Sequence, residues 1–63
     1  MLTVQVLDNN TVKEIACITM PYVPRIDEYL SINKTLYKVK EVCYYADEQI
    51  TKVFVSAPGV FPI

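Results

Sequence analysis

Two cysteines, seven carboxylates and five tyrosines are the side chains of this 63-residue chain that could carry chemistry, and no histidine accompanies them. Histidine is the usual general base near neutral pH and the commonest metal ligand, so its absence closes most routes to both roles. A thiol becomes a nucleophile when a neighbouring base or cation lowers its pKa. Cys17 and Cys43 have no such neighbour in sequence and lack metal-ligand spacing. Both read as reduced, partly buried thiols of a cytoplasmic protein, on strands that could be neighbours and so could be bridged. Asp27 and Glu28 are adjacent, so on a strand or loop they diverge, whereas a glycosidase pair must face one another across a cleft. They read as a solvated loop with an ion pair to Arg25. Asp8, Asp47 and Glu48 fall in separate turns and spell no calcium loop, and no glycine-rich segment is available to cradle phosphate. Two sequons, Asn9-Asn10-Thr11 and Asn33-Lys34-Thr35, read as turn chemistry. The expectation is a non-enzymatic chain with no cofactor and no metal.

The tyrosines carry more information. A small core absorbs two or three of them with the hydroxyl reaching water, and Tyr37 and Tyr44 fit that role. Tyr22 lies in a proline-bracketed loop, and Tyr45 faces opposite to Tyr44. Exposed tyrosine with little charge around it marks protein interfaces. With Lys38, Lys40 and Lys52 nearby it could instead stack single-stranded nucleic acid, but a net charge of −1 and a pI near 5.1 make that the weaker reading.

These side chains must be positioned by a short chain. Sixty-three residues make one domain, 52% hydrophobic and therefore unlike a disordered segment. A domain of this size buries only about 60% of its unfolded surface, so its core is marginal and a partner subunit is a natural supplement. No apolar run of about 18 residues is present, so no membrane span is expected. Met1 to Asp8 contains no basic segment of a secretory signal.

Alternation of apolar and polar residues predicts strands. Leu2–Val6 is the first, followed by an Asp8-Asn9-Asn10 turn. Thr11–Met20 is the second, with Ala16, Ile18 and Met20 on one face and Ile15 and Cys17 on the other. Apolar on both faces, it reads as central or as bending between two sheets; a helix at 11–18 is the rival, which Val, Ile, Cys and Thr disfavour. Pro21-Tyr22-Val23-Pro24 interrupts pairing. Tyr29–Ile32, Leu36–Tyr45 and Ile50–Val55 complete the set. In the long fourth strand Val42 follows Val39 by three positions, a slip that predicts one extra residue, a β-bulge, near Lys40-Glu41. Tyr37, Val39, Val42 and Tyr44 should then be buried with Leu30, Ile32, Val53 and Val55. Five short strands of this kind predict an all-β fold: a small five-stranded barrel or strongly bent meander over residues 1–57, with an apolar tail at 58–63.

The stretch Pro24-Arg25-Ile26-Asp27-Glu28-Tyr29-Leu30-Ser31-Ile32, followed by Leu36-Tyr37-Lys38-Val39-Lys40-Glu41-Val42, resembles small SH3-like β-barrel proteins of bacteria and bacteriophages. That family usually has Gly-Asp where this chain has Ile26-Asp27, and a glycine in the turn at Asn33-Lys34. The resemblance implies the barrel and a phage or mobile-element protein; members of the fold bind proteins, nucleic acids or nothing known, so it specifies no ligand. The expected function is protein binding, at a surface formed by Tyr22, Arg25, Tyr45, Phe54, Val60, Phe61 and Ile63. The three tail residues would contribute about 1.5–3 kcal/mol each if buried. They could cover the domain's own open end or dock on a second copy, and the marginal core slightly favours a homo-oligomer.

Overall fold

The computed structural model describes residues 2–56, which form β1 (Leu2–Asp8), β2 (Glu14–Met20), β3 (Tyr29–Ile32), β4 (Thr35–Tyr45) and β5 (Ile50–Val55). The class and the strand count are those the alternation predicts. The strands make one mixed sheet in the order β2-β1-β5-β4-β3, curled into a half-barrel in keeping with a small SH3-like barrel. β1 pairs antiparallel with β2 and parallel with β5; β4 pairs antiparallel with β5 and β3. A parallel pair needs a crossover between its members, and here the crossover is all of β2, β3 and β4. Residues 57–63, including Val60, Phe61 and Ile63 and the predicted tail boundary, lie outside the described residues.

The turns explain the boundaries. Asp8 accepts the backbone N–H groups of Asn10 (2.7 Å) and Thr11 (3.1 Å) on its carboxylate, and its own N–H donates to the Lys13 carbonyl (2.9 Å). That network holds Thr11–Lys13 in the loop, so β2 begins three residues later than the β-branched run suggests. Asn33 and Lys34 both have positive φ, 52° and 65°, the requirement of a two-residue hairpin whose twist matches its strands. Asp27, at φ 73°, occupies the third position of a turn closed by Glu28 N–H donating to the Arg25 carbonyl (3.1 Å); aspartate tolerates this left-handed region better than most residues.

One face of the sheet carries the core. Val4, Val6, Val39, Val53 and Val55 are fully buried and Tyr37 nearly so, with Ile15, Ile18, Met20, Leu30, Ile32 and Val42 packed around them. β-branched side chains suit this surface because they lose little freedom on a pleated strand. The bulge lies where the alternation slips: Val39 stands opposite Val55 and Glu41 opposite Phe54, leaving Lys40 as the extra residue. It divides β4 in two. The first half pairs with β3, and the second pairs with β5.

Three expectations are corrected. β2 is an edge strand rather than a central one, because β5 takes the place beside β1. Ile15 packs against the core instead of facing outward with Cys17, because the register slips between Val6 and Leu7 and Ile15 becomes the unpaired residue. Tyr44 is 60% exposed rather than buried. It shares the core face with Val42, but β3 stops at the level of Lys38, so the second half of β4 has β5 on one side and no described strand on the other.

Candidate functional site

The outer face of the sheet carries both thiols. One cross-strand row runs Cys17, Gln5, Lys52, Cys43 over four adjacent strands. The two thiols occupy its ends, both free and both exposed rather than half buried. Two strands separate them, a span of about 14 Å at the usual strand spacing. A disulfide needs Cα atoms within about 7 Å, so β2 and β4 are not the neighbours a bridge within one chain would require.

Two lysines of this face, Lys38 and Lys52, stand over tyrosines. Lys52 Nζ lies 4.2 Å from the centroid of the half-buried Tyr45 ring and 3.7 Å from a Glu48 carboxylate oxygen. Lys38 Nζ lies 5.9 Å from the Tyr29 ring and 3.7 Å from an Asp27 carboxylate oxygen. Both cations are therefore already engaged, and a ligand phosphate would compete with a carboxylate for each. Asp27 thus takes Lys38 as its ion-pair partner. Glu28 meets Arg25 through the backbone, accepting the Arg25 N–H at 2.7 Å, in place of the expected ion pair of side chains.

Of the predicted interface residues, Tyr22 (65% exposed) and Arg25 project from the loop between β2 and β3. Tyr45 and Phe54 are half buried on the outer face, where Phe54 is paired with Leu7 and Glu41. The structure does not bring the loop pair and the sheet pair together on one strand or turn. It adds residues that facing arguments missed. Ile26 and Tyr29 are 58% and 59% exposed, and with Tyr22 and Arg25 they make the segment 22–29 the densest run of exposed large apolar side chains among the described residues. The signal for Ile26 was present: an apolar residue inside a polar turn, at a position where the resembled family has glycine.

Among the described residues no group of three carboxylate, thiol or imidazole side chains gathers, no pocket opens, and no helix is long and apolar enough to cross a membrane. Comparison with protein-family models, curated proteins and solved structures finds no match to this chain. The SH3-like resemblance therefore rests on residues 24–42 alone.

Proposed function

We propose that the chain is a non-enzymatic protein-binding module that acts by occupying a surface of another protein, a host or virion component in the setting the SH3-like resemblance implies. One observation carries the reading. Among the described residues, three of the six exposed large hydrophobic side chains, Tyr22, Ile26 and Tyr29, lie between residues 22 and 29 and flank the exposed Arg25. Tyrosine and arginine are the residues that most often dominate binding energy at protein interfaces, and Pro21 and Pro24 restrict the loop that presents them.

The test is affinity capture from the source cell with the wild-type chain beside a Tyr22→Ser/Tyr29→Ser variant, each shown to melt cooperatively. A protein retained by the wild type and lost with the variant supports the reading. Equal capture by both sinks this surface. The second reading, a nucleic-acid-binding barrel, draws on the two lysine–tyrosine pairs of the outer face. A mobility-shift titration with single-stranded oligonucleotides at low salt separates the two, since nucleic-acid affinity falls steeply as salt rises. Tight, salt-sensitive binding that Lys38→Ala/Lys52→Ala abolishes would replace the protein-binding proposal.

A further inference from the structure

The sheet ends in two edge strands, and β2 is an open one. Among the described residues it pairs with β1 alone. From Ile15 to Met20 it carries no charge and no proline, the devices by which exposed edges are normally protected. The only irregularity, the slip at Ile15, lies at its start.

Backbone alternation says where its polar groups point. Asn9 N–H donates to the Val55 carbonyl, so odd-numbered residues of β1 address β5. Asp8 N–H donates to the Lys13 carbonyl, so even-numbered residues address β2. The pairs Val4–Ile18 and Val6–Ala16 are then the hydrogen-bonded ones. By the same alternation Cys17 and Thr19 direct their N–H and C=O groups away from β1, onto the free side.

We propose that β2 is the interface for a second copy of this chain, which pairs with it antiparallel about a two-fold axis at Ile18. That register sets Cys17 opposite the partner's Thr19 and Thr19 opposite the partner's Cys17, so every outward backbone group of the regular part of the strand is bonded. On the core face Ile18 meets the partner's Ile18 and Ala16 meets the partner's Met20, extending the apolar cluster that already includes Ile18 and Met20. No charged residue is opposed to another. The pairing is isologous and therefore closes at a dimer. The alternatives within the sheet are poorer. β3 has four residues, and the part of β4 that pairs on one side alone lies between the bulge at Lys40 and the acidic turn with Asp47 and Glu48. This inference is independent of the loop proposed to bind a foreign protein.

Light scattering on the full chain should give twice the 7.2 kDa chain mass. Amide exchange should show Cys17 and Thr19 protected along with Ala16 and Ile18. Thr19→Pro removes an N–H that the monomer does not use, and proline is tolerated at such edge positions. It should halve the mass, remove the protection at Cys17 and leave that at Ala16 and Ile18. Ile18→Cys, in a chain with both native cysteines changed to serine, should oxidise to a covalent dimer, because residues opposed at a non-hydrogen-bonded site sit about 4.5 Å apart, within disulfide range. A monomeric wild type overturns the proposal, including one in which the Cys17 and Thr19 amides are protected by another part of the same chain. A dimer whose Cys17 and Thr19 amides exchange freely overturns it as well, by placing the interface elsewhere.

Discussion

The two edges of the sheet differ in a way that bears on how so small a domain stays folded. β3 is four residues long, entered from a turn in which Asp27 is ion-paired and left through the Asn33-Lys34 hairpin. β2 is seven residues long, and its one charge, Glu14, is hydrogen-bonded at 2.6 Å by the Gln5 side chain on the neighbouring strand. A short edge offers little to a template; a long uncharged one offers a full ladder. The same sequence thus protects one margin of its sheet and leaves the other open. That contrast would be hard to explain if β2 were only a boundary.

The contrast can be broken first at the backbone. Lys52→Pro, in the strand that pairs with both β1 and β4, should abolish cooperative unfolding, since proline inside a sheet removes a ladder hydrogen bond and is confined essentially to edges and bulges, while a domain of this size has only about 3–5 kcal/mol of stability to lose. Thr19→Pro on the β2 edge should cost no more than about 1 kcal/mol when the chain is dilute enough to be monomeric. Denaturant titrations of the two variants compare them directly, and similar losses would mean that β2 is flanked on both sides.

The next largest effect separates the centre from the short edge. Val39→Ala, at a fully buried site beside the bulge, should cost about 1–2 kcal/mol, because the deleted methyls leave a cavity. Leu30→Ala, on β3 and only half buried, should cost less than the 2–5 kcal/mol typical of fully buried leucine. Chemical denaturation checks both.

A gain is expected in the loop that leads into the open edge. Val12 is 61% exposed and holds φ at 61°, a region that a β-branched side chain occupies only under strain. Val12→Gly should stabilise the domain by about 1 kcal/mol, seen as a raised Tm. An unchanged or lower Tm would show that the valine makes a stabilising contact. Lys40→Ala should be the smallest change, within about 0.5 kcal/mol of zero, as an exposed surface residue ought to be. A clear loss there would mean that the bulge depends on its side chain.

Local patterning was legible in the residues themselves. Alternation placed β3 and β5 at their observed bounds, and the interval from Val39 to Val42 located the bulge, because facing on a strand has a period of two and any slip must be absorbed by an extra residue. The exposed Tyr22 was legible from its two flanking prolines. Tyr44 was not, for alternation reports which face a residue is on and says nothing of whether a neighbouring strand continues far enough to cover it.

What only the tertiary structure decided is the order of the strands. β5 inserts beside β1 in parallel, a pairing between the two ends of the fold that no local signal encodes. That single choice sends β2 to the margin and separates Cys17 from Cys43 by two strands. The physical reason is that propensity, turn chemistry and facing act between residues close in sequence. Which strands become neighbours depends instead on how the same valines, distant along the chain, best bury one another.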